Sequence, residues 1–476
     1  MKRIVNYLKM SGVLLLLCSC SVNRQSGEKN EERPNVIFLS VDDLNDYPVS
    51  NLENVKTPNI DELRNSSLTF TNANCQAPLC IPSRASFFTG KYPHKTGVYV
   101  NGGDPWNKSE ELQKVQTLPE LFKKNNYYSY GAGKIYHANI GEDRMKRNFD
   151  NHPIYGGGFG PFPEKEHRVF SEKDEFPQFW GVQAFPNSIF PDVKNVDSAI
   201  DFLNAEHEKP FFMALGLWRP HTPFTAPERF FSMYDPDSIN IPKGYTEDDL
   251  KDVPEFMKDR LDPFGRFEVT GKDHVDRWKH FIHGYYACTS FVDWNIGRLV
   301  SALDESKYAK NTILVIFSDN GFHLGVKDHW EKNTLWNTSS VVPLIVRLPD
   351  KNGKGRVVDT PVELTDLYPT LVEMCNLEGP SQELDGKSLV PFFEKEDFTW
   401  NKPALTSLGE NMISIQDDEY RYIQYPDGSH ELYNYKRDVY EWTNLADEKH
   451  YQDVVKRMQE FVPENFEKAI PGGRMN

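Results

Sequence analysis

The chain has 476 residues, more than a single hydrophobic core sustains, so one large domain with a smaller companion is expected. Its composition is that of an ordinary globular protein, with 38% hydrophobic and 26% charged residues. A formal net charge of −16 argues against general nucleic-acid binding, and any anionic substrate would need a locally positive pocket.

In chain order, residues 1–20 come first. Basic Lys2 and Arg3, a short apolar run from Val13 to Leu17, and small residues make a secretory signal too short to span a membrane. Leu17-Cys18-Ser19-Cys20 resembles a bacterial lipobox, which implies cleavage before Cys20 and lipidation of it. Ordinary signal-peptidase cleavage nearby is the alternative. The expected location is the periplasm or outer membrane of a Gram-negative bacterium, with the membrane reached through the N-terminal lipid only. Residues 21–33 are polar and read as a flexible tether. Residues 34–391 are expected to form the catalytic domain and 392–476 a smaller α+β subdomain. Cys75, Cys80, Cys288 and Cys375 are too few and scattered for a disulfide scaffold, although one bridge stays open.

Asn35 to Ser40 is a continuous apolar run that ends at Asp42-Asp43, and Thr312 to Ser318 is another that ends at Asp319-Asn320-Gly321. Runs at Tyr127–Gly131, Phe211–Leu217 and Val341–Leu348 behave alike. Apolar strands separated by helices mean a mostly parallel sheet covered on both faces. Ligands of such sheets bind beyond the strands' carboxyl ends, so both acid-bearing turns share one rim. Helices are expected from Thr117, a capping-box start, to about Lys124, over Tyr285–Glu305, and from Thr365 to about Cys375. Gly156 to Gly160 reads as a loop that either borders the pocket or merely connects. Past Pro391, short runs at Ala404–Leu408, Met412–Gln416, Tyr420–Tyr425 and Glu431–Tyr433 predict a small antiparallel sheet, with a helix over Gln452–Ala469.

Asp42, Asp43, Asp319 and Asn320 offer three carboxylates and an amide oxygen, a hard donor set suited to Ca²⁺. Cys80-Ile81-Pro82-Ser83-Arg84 places a thiol at a helix start, where backbone N–H groups and a fixed cation favour negative charge. Taken alone, an Asp pair is more often a turn, and a buried cysteine is more often packing.

The run from Cys80 to Gly90 resembles the signature of type I sulfatases, Cys-x-Pro-Ser-Arg followed by Thr-Gly. The resemblance spans Pro34 to about Ala446. The segments Asp42-Asp43-Leu44-Asn45, Gly133-Lys134-Ile135-Tyr136-His137 and Arg219-Pro220-His221-Thr222-Pro223-Phe224 point to the iduronate-2-sulfatase-like branch. It implies an alkaline-phosphatase-like α/β sandwich and oxidation of Cys80 to formylglycine by a formylglycine-generating or maturase enzyme. It also implies one Ca²⁺ on Asp42, Asp43, Asp319, Asn320 and the residue-80 nucleophile. Arg84, Lys134 and Lys332 would meet the sulfate, His137 would assist the hydrate, and His221 would protonate the leaving oxygen. The implied substrate is a sulfated oligosaccharide, such as one with a 2-O-sulfated uronate. Asn320 stands where the lysosomal relative has histidine, and the segment before Lys332 is one residue shorter. A phosphate or phosphonate monoester hydrolase of the same fold, and a non-catalytic glycan-binding lipoprotein, are the alternatives.

Overall fold

The computed structural model describes residues 33–46, 54–153, 158–162, 164, 169–170, 179–180, 182, 184–261, 272–350 and 352–474. The signal reading and all of the tether reading but Arg33 fall outside these residues, as do Gly156 and Gly157.

The main sheet holds β1 (Asn35–Asp42), β2 (Leu68–Asn74), β3 (Tyr128–Gly133), β4 (Phe211–Pro220), β5 (Thr312–Ser318), β6 (Val341–Arg347), β7 (Arg356–Val358) and β8 (Val362–Glu363). Their order is β7-β2-β6-β5-β1-β4-β3, with β8 also on β2. β1 lies between parallel β5 and β4, with Val36 opposite both Ile313 and Phe212. Among the described strands of this sheet, β6 alone runs against the rest. An unbroken apolar run reports burial on both faces but carries no direction, so Val341–Leu348 gave no sign of this reversal.

β1 reads Asn-Val-Ile-Phe-Leu-Ser-Val-Asp and is buried throughout. Strand periodicity sends Val36 and Phe38 to one face and Ile37, Leu39 and Val41 to the other. The first face packs against α1 (Cys80–Thr89), α2 (Leu118–Lys124) and α5 (Leu367–Met374); the second packs against α3 (Pro191–Asn204) and α4 (Lys272–Glu305). Helices therefore cover both faces, as the apolar runs predicted. The Phe38 ring sits 5.9, 5.7 and 4.8 Å from the rings of Phe87, Phe88 and Phe317. Each such pair adds about 0.5–1.5 kcal/mol beyond area burial, and together they seat α1 on the sheet. Gly90 ends α1 at φ 68°, where a Cβ would come within 2.6 Å of Leu384.

Thr117 and Glu120 form the expected capping box of α2. α4 begins at Lys272, thirteen residues before the reading from Tyr285. β2 and α3 were not read from the sequence at all. β2 (Leu-Thr-Phe-Thr-Asn-Ala-Asn) alternates too weakly to stand out, and its pairing on both sides holds it. The four-stranded antiparallel sheet comprises β9 (Ala404–Gly409), β10 (Met412–Gln416), β11 (Arg421–Gln424) and β12 (His430–Tyr433), in sequential order. The helix after it, α6 (Gln452–Gln459), stops ten residues short of Ala469. Beyond it the chain runs irregularly back to the main body, where Glu467 N–H donates to the His94 carbonyl and Ile470 N–H to that of Gly97. Cys75, Cys80, Cys288 and Cys375 are all buried and unpaired, so the single possible bridge is absent among them.

Candidate active site

The carboxyl ends of β1 and β5 meet as anticipated. The β1–β4 ladder slips between Val41 and Asp42, which comes to lie opposite Pro220, and Asp43 turns at φ 62°. Side chains that sequence reading missed lock these turns together. Ser318 Oγ accepts from Leu44 N–H at 2.8 Å, the Tyr285 hydroxyl donates to the Asp43 carbonyl at 2.8 Å, and the Asn45 amide pairs with both backbone groups of Phe322. Their partners lie about 240 to 280 positions away in sequence, beyond any local signal.

Cys80 is the first residue of α1. Asn101 Oδ1 accepts the N–H of Ile81 at 3.0 Å, and Ser83 Oγ donates to the Asp319 carbonyl at 2.5 Å, so the helix start is fixed against β5. Around Cys80 Sγ stand Lys332 Nζ at 3.1 Å, Asp42 Oδ1 at 3.3 Å and Lys134 Nζ at 3.5 Å. Burial, then the Asp42 charge, push this thiol up to about 12. The unmodified thiol is therefore no thiolate near neutral pH, despite the helix N-terminus.

Arg84 is fully buried. Its Nε donates to Asp319 Oδ2 at 2.8 Å, and one terminal nitrogen donates to Ser40 Oγ at 3.2 Å, to the Ile135 carbonyl at 3.0 Å and to that of Lys134. Its other terminal nitrogen has no hydrogen-bond partner and lies 3.8 Å from Asp42. Arg84 thus ties α1, β1, β5 and the loop after β3 into one rim.

Lys134 is ion-paired with Asp42, and Lys332 with Asp43 at 2.5 Å. Burial would raise Asp42, but Lys134, His221, Lys332 and Arg84 outweigh it and hold this carboxyl well below its usual range. Asp43 is pushed up to about 7 by burial and by its neighbours Asp42 and Asp319, against Lys332. Asn320 Nδ2 donates to Asp43 Oδ1 at 2.6 Å. Ligand atoms of Asp42, Asp43 and Asp319 lie within 4.8 Å of one another. Asp43 Oδ2 and Asn320 Oδ1, both buried, have no hydrogen-bond partner. Orphaned buried acceptors call for a cation, and this all-oxygen set fits a hard one.

His221 Nε2 faces Asp43 Oδ2 at 3.7 Å while its Nδ1 meets the Thr222 carbonyl at 2.5 Å. Burial and Lys332 keep the ring well below its usual range. His137 sits at φ 52° with Nδ1 unpartnered; burial, then Lys134, lower it to about 2. Both rings are neutral as the structure stands. Phe159, from the loop expected either to border the pocket or to connect, and the unforeseen Trp218 stand beside them: the Phe159 ring lies 4.6 Å from His221 and 5.0 Å from Trp218, and Lys134 Nζ is within 5.5 Å of both aromatic rings. The Lys332 loop is held by His329, whose Nε2 meets the Lys332 carbonyl at 2.7 Å. All ten sequence-derived residues, Asp42, Asp43, Cys80, Arg84, Lys134, His137, His221, Asp319, Asn320 and Lys332, thus gather in one place.

A mostly parallel sheet presenting acids, lysines and a helix-start cysteine on one rim is the alkaline-phosphatase-like architecture. The family model described as Sulfatase matches residues 34–377, and that of the N-sulphoglucosamine sulphohydrolase C-terminal region matches 325–468. A sulfatase of Formosa agariphila is 38% identical, covering 96% of this chain and 91% of its own. Human iduronate 2-sulfatase is 28% identical, covering 87% and 82%. In fold, the chain is similar to the phosphonate monoester hydrolase of Agrobacterium radiobacter, with TM-score 0.72, 20% identity and coverage of 90% and 94%. The chain belongs to the sulfatase family. It is a sulfuric ester hydrolase.

Proposed function

We propose that this enzyme removes sulfate from a sulfated glycan, with a 2-O-sulfated uronate or a related sugar as substrate, and that it works outside the cytoplasm as an exported lipoprotein. The convergence of Lys134, Lys332 and Asp42 on Cys80 Sγ, beside two orphaned buried oxygens, carries the chemical part. The likeness to iduronate 2-sulfatase supports the sugar class. The lipobox-like Leu17-Cys18-Ser19-Cys20 supports the anchor.

Asp42, Asp43, Asp319 and Asn320 would hold Ca²⁺, which supplies Lewis-acid withdrawal of charge from a sulfate oxygen. Position 80, once converted to formylglycine by a maturase, would supply a geminal diol, with one hydroxyl as nucleophile toward sulfur and a second through which the aldehyde could be restored and sulfate released. The remaining work falls to this chain's own side chains. Three cations, Arg84, Lys134 and Lys332, balance the three acids, so the cluster does not add to the chain's overall negative charge and leaves the pocket open to an anion. Lys134 and Lys332 donate to oxygens carrying developing negative charge. His137, neutral and with Nδ1 free of other hydrogen bonds, assists the residue-80 diol as a hydrogen-bond acceptor. His221 faces the leaving side, and the charge of an incoming sulfate favours the protonated ring that it needs to protonate the sugar oxygen. Phe159 and Trp218 exclude water from that side.

Peptide mass spectrometry of the active native enzyme tests the core of this reading. Formylglycine at position 80 is expected, and unmodified cysteine throughout an active preparation would sink it. Matched sulfate and phosphate monoesters then separate sulfatase from phosphohydrolase preference, and defined disaccharides identify the sugar.

A further inference from the structure

We propose that Arg219 is a positioning residue that aims His221 at the leaving oxygen; this rests on the reading of His221 as the proton donor. Arg219 ends up fully buried at the carboxyl end of β4. Its Nε donates to the Thr225 carbonyl at 2.9 Å and one terminal nitrogen to the His221 carbonyl at 3.3 Å. The other terminal nitrogen donates to Thr225 Oγ1 at 2.6 Å and to the Phe159 carbonyl. Among the described residues, no carboxylate lies within the 4.0 Å of an ion pair with this guanidinium. Buried Asp192 and Asp42 act on this charge from beyond ion-pair distance, while every hydrogen bond of the fork goes to a neutral acceptor, a costly arrangement for packing alone. What it achieves is geometric. A planar fork of five donors fixes three separate pieces of backbone at once: the His221 turn, its return at Thr225, and the loop that carries Phe159.

The consequence falls on one ring. His221 is gripped through its own carbonyl, and its imidazole is walled by the Phe159 ring 4.6 Å away, itself gripped through Phe159's carbonyl. Asp192 steadies the same strand end from beneath, accepting the N–H groups of Trp218 at 2.8 Å and Arg219 at 3.0 Å. Arg219 touches neither Cys80 nor the acids, so its loss should disturb the leaving side and spare the attack on sulfur.

The test is the dependence of rate on leaving group, measured with aryl sulfates from 4-nitrophenyl to phenyl and with a 2-O-sulfated uronate disaccharide. A nitrophenolate leaves without a proton, whereas phenol and a sugar alcohol need one. For Arg219→Lys we expect kcat/KM to fall by roughly 100-fold on phenyl and sugar sulfates, the span of a lost general acid, and by less than about threefold on 4-nitrophenyl sulfate. Thr225→Val, which keeps the guanidinium but removes its hydroxyl partner, should steepen the series by an intermediate amount in a protein of unchanged melting temperature. Equal losses across the series, or none, in a folded Arg219→Lys protein would overturn the inference. His221→Ala keeps the two readings apart. If it too gives a flat loss, the proton-donor reading has failed; if it steepens the series while Arg219→Lys does not, only the role of Arg219 has failed.

Discussion

The cluster around Cys80 and a second, largely buried cluster both pair lysine with carboxylates, and only the first is built to react. In the first, Asp42, Asp43 and Asp319 meet Lys134, Lys332 and Arg84 around Cys80. In the second, Lys402 pairs with Glu363 and Asp366 between β8 and the start of α5. There, every carboxylate oxygen is satisfied. Glu363 accepts from the Tyr92 hydroxyl at 2.7 Å and from Leu405 N–H at 2.7 Å; Asp366 accepts from Lys387 N–H at 2.7 Å and Glu363 N–H at 2.8 Å. The Cys80 cluster leaves Asp43 Oδ2, Asn320 Oδ1 and one Arg84 nitrogen without hydrogen-bond partners. The carboxylates are buried in both; what separates the two is unfinished hydrogen bonding. A saturated cluster holds a fold together, and an unsaturated one holds a place for a ligand.

The largest test of this contrast is at residue 80. Cys80→Ala should lower kcat by at least about 1000-fold, since nucleophile loss removes the covalent route, while the melting temperature stays within a few degrees. Asp43→Asn should cost activity on a similar scale, about 100-fold or more, yet unfold no more readily than the parent, because it relieves crowding among three acids. Chelation should reproduce that loss and added Ca²⁺ reverse it. Thermal melts beside steady-state rates on an aryl sulfate check all three. A variant of Asp43 that loses stability in proportion to activity would erase the distinction drawn here.

The Lys402 cluster should answer in the opposite way. Lys402→Met strands two buried carboxylates, and breaking a buried pair in this manner costs about 3–5 kcal/mol. Urea unfolding should show that loss as a lower midpoint at an unchanged slope, while rate per folded molecule stays at the parent value.

These two clusters also divide in how far the sequence revealed them. Cys80, Ser83 and Arg84 form one turn of helix, and the paired acids directly follow apolar strands, so local pattern and the rule of strand carboxyl ends located them. Lys134, His137, His221 and Lys332 came through family resemblance, since a lone lysine or histidine carries no signal of its own. The Lys402 cluster was invisible. Glu363 and Asp366 flank the expected helix start at Thr365 without any mark of a partner, and Lys402 lies 36 to 39 positions later. Arg219 was legible as part of a motif but not as a clamp, because Phe159 lies 60 positions before it. The overextended reading of α6 has a different cause. Residues 460–469 keep helical-looking composition, but Pro463 offers no N–H, and further on Glu467 N–H donates to the His94 carbonyl and Ala469 N–H to Glu410 Oε1 at 2.9 Å. Tertiary pairing wins over propensity there.

The smallest effect we expect concerns acid, and it reaches the saturated cluster from its edge. His94 stacks on Tyr92 with ring centroids 5.1 Å apart, and Tyr92 is a donor to Glu363. Burial, then neighbouring Lys95, lower His94 to about 4, against 6.5 in an unfolded chain. Between those values the unfolded chain binds a proton that the folded protein refuses, so stability must fall as pH drops from about 6.5 to about 4, and it is unaffected above that window. The shift sets an upper limit of about 3 kcal/mol for this one ring. His94→Phe keeps an aromatic face on Tyr92 and cannot titrate. Its unfolding free energy should match the parent at pH 7.5 and exceed it at pH 4.5, with activity at pH 7.5 unchanged. If the variant instead loses the same stability as the parent on acidification, the acid sensitivity lies elsewhere, and the saturated cluster is insulated from its surroundings more completely than its contact with His94 implies.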